Sequence, residues 1–252
     1  MTRYAEYFNT VDYLDYLKAH QSTQNTEANG RVAGSDLAVK ILKLLSLKPG
    51  SFTVEVGCGI GRILHLLHSI FQADVYGCDI SLPAIAHIQQ TDPMFSARVH
   101  HCSSDRLDFL APSSVDCIVT WGVFELTDQR RTLLEISRVL KLGGVALLSS
   151  VKNRLYLPND KDSLMAHQAY IAKSIPIAYT DVPSLEHLIE FLGMTIKHRL
   201  IFQYKQHLPL GRYTLDRKAQ AFSEAMYVIE KKDHTPLDAS ITMAPANAPV
   251  KK

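Results

Sequence analysis

One run, Val54-Glu55-Val56-Gly57-Cys58-Gly59-Ile60-Gly61-Arg62, constrains this chain more than any other. Val54 and Val56 are β-branched and suit a buried strand. Gly57, Gly59 and Gly61 let the backbone turn sharply and leave no Cβ between the main chain and a ligand. Ile63-Leu64-His65-Leu66-Leu67 then favours a helix. A helix that starts there points unpaired N–H groups at whatever lies over the turn. The segment predicts a strand, a glycine turn and a helix built to hold a ligand against main chain.

Spacing narrows the ligand. A dinucleotide fingerprint is G-x-G-x-x-G, with an acid about 20 residues later. This chain has G-x-G-x-G, and Arg62 occupies the place of the third glycine. An acid does follow at Asp79, closing a second apolar run, Asp74-Val75-Tyr76-Gly77-Cys78-Asp79-Ile80. An acid at a strand tip accepts ribose hydroxyls. The two signals together indicate a nucleoside and argue against a pyrophosphate.

Residues 54–62 with Asp79 resemble the first two motifs of the class I S-adenosylmethionine-dependent methyltransferases. Further matches follow in order. Ser114-Val115-Asp116-Cys117-Ile118-Val119-Thr120 is similar to the family's fourth strand. Glu135 to Gly144 looks like the helix and "LKPGG" turn before the fifth strand, with Leu142 in the proline position. Ala221 to Ile229 resembles the last strand. The resemblance covers roughly residues 34–232 and implies a three-layer α/β sandwich. Its sheet would be seven-stranded and mostly parallel, with the last strand antiparallel, and its cofactor S-adenosylmethionine. Two departures stand out. Where relatives carry "GDA" after the third strand, this chain reads Cys102-Ser103-Ser104, with Asp105 next. Either Asp105 or Ser103 then reaches the adenine. The histidine common after the fourth strand is missing from Gly122-Val123-Phe124-Glu125-Leu126-Thr127-Asp128.

The resemblance implies a site for the sulfonium donor across Gly57, Cys58, Gly59, Gly61 and Arg62. Glu55 faces the amino group or a bridging water, or else orders the turn as a structural acid. Asp79 takes the ribose hydroxyls and Ile80 lies against the adenine. Backbone around Ser104, with Asp105 or Ser103, reads the adenine edge. Trp121 and Gly122 flank the methyl, with a plain core role as the alternative for Trp121. If the acceptor is an alcohol or phenol, a base is needed. Glu125, His167, Tyr204 and His207 are the candidates by location.

The chain of 252 residues suffices for one sizeable α/β domain. A net charge of +2 gives no broad electrostatic footprint for nucleic acid. No apolar run approaches the length of a membrane span, and Met1 to Tyr7 has no signal-peptide core. The four cysteines, Cys58, Cys78, Cys102 and Cys117, form no C-x-x-C pair. They read as reduced thiols of a cytoplasmic protein. If they lie near one another at the ligand edge, oxidation or alkylation would block binding. No metal site is expected. His100 and His101 alternate across a strand end, and His65 and His68 lack partners nearby in sequence.

Residues 1–33 are expected to form a leading helix and a mobile lid segment, with Tyr4, Tyr7, Tyr13 and Tyr16 as possible lid residues. Residues 34–233 form the main domain, its first helix capped by Ser35. Residues 234–252, rich in Pro and Ala, are expected to be disordered. Strands are predicted near 52–56, 74–79, 97–101, 115–121, 145–151, 194–203 and 220–231. Helices fill 61–70, 82–90, 128–140 and 183–192. Residues 152–182 and 204–219 shape the acceptor pocket by resemblance. The leading expectation is methyl transfer to a small-molecule acceptor. The alternatives are a nicotinamide-dependent oxidoreductase on a similar fold and a non-catalytic binding subunit. The sequence leaves the acceptor and the oligomeric state open.

Overall fold

The structure, a computed structural model, describes residues 7–24, 34–154, 177–202 and 224–233. Seven strands form one sheet: β1 Phe52–Val56, β2 Asp74–Asp79, β3 Val99–His101, β4 Val115–Thr120, β5 Leu140–Lys152, β6 Met194–Phe202 and β7 Glu224–Lys231. Their order is β3-β2-β1-β4-β5-β7-β6. The pairs among β1 to β5 are parallel, and β7 runs antiparallel to both β5 and β6. This is the expected architecture, antiparallel last strand included.

Alternation along the strands splits the core in two, because successive side chains face opposite sides of a sheet. Ile118, Ala146 and Leu148 enter one core with α5 (Gln129–Val139) and α6 (Val182–Phe191). Cys117, Val119 and Leu147 enter the other. That second core is closed by α2 (Gly34–Leu42), α3 (Arg62–Phe71) and α4 (Leu82–Thr91). The helices start where short polar side chains can hold a free N–H. Ser81 accepts from Ala84 N–H, Asp128 from Arg131 N–H and Asp181 from Ser184 N–H. In the leading segment, α1 spans Val11–Gln24. The α2 helix is already formed at Gly34, one residue ahead of the cap position assigned to Ser35.

Two strand boundaries differ for identifiable reasons. The third strand starts at Val99 because Arg98 belongs to the preceding turn. Its N–H donates to Phe95 O at 2.8 Å, and its guanidinium pairs with Asp74. The fifth strand starts at Leu140, opposite Val115, and residues 141–144 then bulge around Asp116 before Val145 meets Cys117. The Asp116 carboxylate takes Phe52 N–H at 2.9 Å and Lys141 Nζ at 2.8 Å, which pins the bulge. Gly144 is required there: a Cβ would sit 2.9 Å from Lys141 O. The 234–252 tail, Tyr4, His167, Tyr204 and His207 lie outside the described residues.

Candidate active site

All five parallel strands end on one edge, where an open α/β sheet holds its ligands. The glycine turn occupies the middle of that edge. Gly57 and Cys58 both donate N–H to Cys78 O, at 2.7 and 3.0 Å, so the turn is stitched to the end of β2. Gly57 sits at φ +79°, and a Cβ there would meet the Val123 side chain at 2.6–2.8 Å. The turn and the loop after β4 therefore pack directly together. Gly61, at φ +89°, precedes α3 and supplies no side-chain cap, so the first turn of α3 opens without one.

Glu55 is almost wholly buried on β1. Burial pushes its carboxyl well above the usual range, and the Arg62 guanidinium partly opposes this. One part of the carboxyl receives the N–H of Leu64 in the first turn of α3. Its Oε2 has no hydrogen-bond partner among the described residues. The two roles weighed from sequence thus fall on one side chain: a bond that orders the helix start, and an oxygen left for a donor group. Arg62 is held over it, half-buried, and burial lowers its own pKa.

Asp79 is 6% exposed at the tip of β2. Its Oδ2 takes Gly59 N–H and its Oδ1 takes Ser81 N–H, both at 2.8 Å. Each carboxylate oxygen has a second lone pair, so the side chain can hold the turn and still accept two hydroxyls. Burial raises its pKa, and these backbone donors pull it back. Ile80 follows, half-buried, with its carbonyl against His101 Nε2 at 3.0 Å.

Beyond β3, Ser103 donates its hydroxyl to Asp105, whose other oxygen lies 3.8 Å from Arg131. The choice between Ser103 and Asp105 is therefore a choice within one bonded pair. Ser104 turns its hydroxyl to Thr132 on α5, at 2.9 Å. Only its backbone remains for a ligand. Trp121 packs half-buried on the second core, while Gly122, exposed at φ +67°, donates its N–H to Ser149 Oγ at 2.6 Å.

The α1 helix covers this edge. Leu17 Cδ1 would be 3.6 Å from a Cβ at Gly59, and Asn9 Oδ1 accepts Leu82 N–H at 2.7 Å. Tyr7, Tyr13 and Tyr16 stand in a chain of ring contacts, with Tyr7 5.7 Å and Tyr16 6.3 Å from Tyr13. Three cysteines gather beneath the turn, as Cys78 is hydrogen-bonded to Cys102 and Cys58 lies within electrostatic reach of both. Burial pushes the Cys58 thiol up, and the Cys102 hydrogen bond followed by burial does so for Cys78. Both are kept as thiols, which slows oxidation.

A second polar group, which sequence reasoning did not assemble, lies past Val123. Glu125 sits in a 3₁₀ turn, Phe124–Leu126, and is 7% exposed. Its carboxyl is pushed up to about 7, first by burial; Lys152 opposes this, Glu224 adds to it, and the Ser150 hydroxyl donates to it. Lys152 Nζ reaches Glu224 Oε2 at 3.2 Å. Tyr179 is close enough to feel both Lys152 and Glu125. These residues come from the loop after β4, the end of β5, the start of β7 and the 177–180 segment. In sequence, Glu125 is marked by its place after a strand end, and Lys152 and Tyr179 fall in the 152–182 segment assigned to the acceptor pocket. Among the described residues, no group of three or more His, Cys, Asp or Glu is arranged to hold a metal.

Residues 54–148 match a family model described as a methyltransferase domain. A probable S-adenosylmethionine-dependent methyltransferase of Mycolicibacterium smegmatis is 33% identical over 115 residues, which is 45% of this chain and 43% of that protein. The chain thus matches less than half the length of this curated relative. Among solved structures, geranyl diphosphate C-methyltransferase from Streptomyces coelicolor A3(2) superposes with a TM-score of 0.66 at 14% identity, covering 91% of this chain and 98% of that one. A chain from the complex of the Haloferax volcanii Trm112 methyltransferase activator with a methyltransferase gives 0.62 at 15%, covering 92% and 99%. Phosphoethanolamine N-methyltransferase 2 of Haemonchus contortus, with S-adenosyl-L-methionine, gives 0.61 at 18%, covering 79% and 46%. Residues 54–148 thus match a methyltransferase domain, and the strand order with its antiparallel seventh strand is part of a fold similar to that of these solved methyltransferases.

Proposed function

We propose that this protein is an S-adenosylmethionine-dependent methyltransferase that acts on a small-molecule acceptor by in-line transfer. The observation that carries the reading is Glu55 Oε2, a buried carboxylate oxygen without a described partner, beside a helix start that has no side-chain cap. A ligand bearing both an ammonium and a carboxylate suits that pair, because a helix start favours negative charge and a lone carboxylate oxygen favours an N–H donor. Glu55 would hold the amino group of the donor's methionine portion, and the turn from Gly57 to Gly61 its carboxylate. Asp79 would take the ribose hydroxyls, with Ile80 against the adenine and the Ser103–Asp105 pair at its edge. When bound, the donor supplies an electrophilic methyl on a sulfonium.

The chain's own part in the transfer is positional. Holding acceptor and methyl close and aligned supplies several kcal/mol through effective molarity. Trp121 and Gly122 flank the reacting centre on this reading, and α1 closes over it and excludes water; residues 25–33 lie outside the described residues. Isothermal titration with S-adenosylhomocysteine tests the proposal, with NADH as the control. Binding of the first and not the second is expected. No heat with S-adenosylhomocysteine at high micromolar concentration removes the reading.

A further inference from the structure

We propose that Glu125 accepts a proton from the methyl acceptor and, because its unpartnered oxygen calls for a hydrogen-bond donor, that the acceptor reacts through an N–H or O–H group rather than through carbon. The inference rests on the methyl-transfer reading above and adds the class of acceptor.

Four observations converge on Glu125. Its backbone is fixed on both sides: Val123 packs under Gly57, and Ala178 donates its N–H to Glu125 O at 2.7 Å. Its carboxyl is buried, yet Oε2 has no hydrogen-bond partner among the described residues. A buried carboxylate oxygen left unmatched costs free energy, so its natural complement is a donor brought by another molecule. The Ser150 hydroxyl donates to this carboxyl, and Ser150 is held at φ +60°, a left-handed conformation that a serine rarely adopts. Such strain persists where surrounding structure imposes it, often at functional sites.

The charges around it fit the role. Facing Glu125 are Lys152 from β5, Glu224 from β7 and Tyr179 from the 177–180 segment. Lys152 is already bonded to Glu224. Two carboxylates share one ammonium, so Glu125 is held less firmly in its ionised form than a paired acid. That makes it a carboxylate that binds a proton readily near neutrality, as a base for a weakly acidic group must. Glu125 lies two residues beyond Val123, whose side chain touches the turn that seats the donor.

The step balances as follows. Oε2 takes the proton from the acceptor's N–H or O–H while the freed lone pair bonds to the methyl carbon. The carbon–sulfur bond breaks with its electron pair going to sulfur, which becomes a neutral thioether. The proton leaves Glu125 to water afterwards.

The test uses the full chain with methyl-labelled S-adenosylmethionine and a small-metabolite extract, reading which atom of each labelled product carries the methyl. N- or O-methyl products are expected. With that product's parent as substrate, Glu125→Gln should lower kcat by 100-fold or more, leave S-adenosylhomocysteine affinity within twofold, and be partly rescued by Glu125→Asp. The native kcat should rise with pH up to about neutrality and then level. That profile needs no variant, so a misfolded substitution does not spoil the test. A methyl found on carbon, a flat pH profile, or an unchanged kcat in the glutamine variant overturns the proposal. So does a lack of any labelled product while S-adenosylhomocysteine still binds; if that binding fails as well, the donor reading falls with it.

Discussion

The two halves of the carboxyl edge are built from different materials. Around β1 and β2 the site is made of main chain. Glycine N–H groups, an uncapped helix start and one acid, Asp79, tied to backbone at both oxygens, do the holding. Around β4, β5 and β7 it is made of side chains: Glu125, Ser150, Lys152, Tyr179 and Glu224, drawn from segments far apart in the chain. The first half suits a ligand that is always the same. The second can change with a few substitutions and no change of fold, which is where an acceptor preference would reside.

The largest expected effect should come from breaking the join between the halves. Gly57→Ala places a methyl against Val123 at a backbone angle alanine disfavours. S-adenosylhomocysteine affinity should fall at least 100-fold by titration calorimetry, with a clear drop in melting temperature. The next concerns the side-chain half alone. The Glu125 carboxyl is raised to about 7 from 4.5 in the fold. The folded state thus binds its proton more tightly, so its contribution to stability is full below about pH 4.5 and is lost as pH rises through 7. At about 1.4 kcal/mol per unit this amounts to roughly 3 kcal/mol. Urea denaturation between pH 5 and 8 should show the decline in the native chain and a flatter curve in Glu125→Gln.

A smaller effect isolates the main-chain half. Asp79→Ala removes the acceptor of two backbone bonds along with the proposed ribose contact, and affinity for S-adenosylhomocysteine should drop roughly 10- to 100-fold. At the far end of the scale, Arg106 and Asp108 pair at 2.5 Å on the surface, with side chains 78% and 67% exposed. Arg106→Ala should change unfolding free energy by less than about 0.5 kcal/mol and leave ligand affinity untouched. An effect on affinity there would mean that the edge is less compartmented than its two building styles suggest.

The same contrast explains what could be read from residues alone. The main-chain half is legible because its chemistry is local. Gly57, Gly59 and Gly61 lie within five residues, and Asp79 ends the next apolar run. Helix starts at Ser81, Asp128 and Asp181 announce themselves by short polar caps. The run Ile63 to Leu67 marked α3 as a helix, and the structure buries Ile63, Leu64 and Leu67 of it. The side-chain half was legible only in part: Glu125 and the 152–182 segment were marked, but not their meeting with Ser150 and Glu224. Lys152 and Glu224 are 72 positions apart and meet only because β7 pairs with β5. The early start of β5 follows from Asp116 gripping Lys141 across the strand, which no propensity encodes.

The interlock of Val123 with the bare α-carbon of Gly57 has a mechanical consequence. A shift of the post-β4 turn would press on the glycine turn, so on the proposed reading the seats of donor and acceptor would move together. Selection for a bulkier acceptor would therefore find its room on the far wall, at Tyr179 or Glu224, rather than by letting the cradle slide.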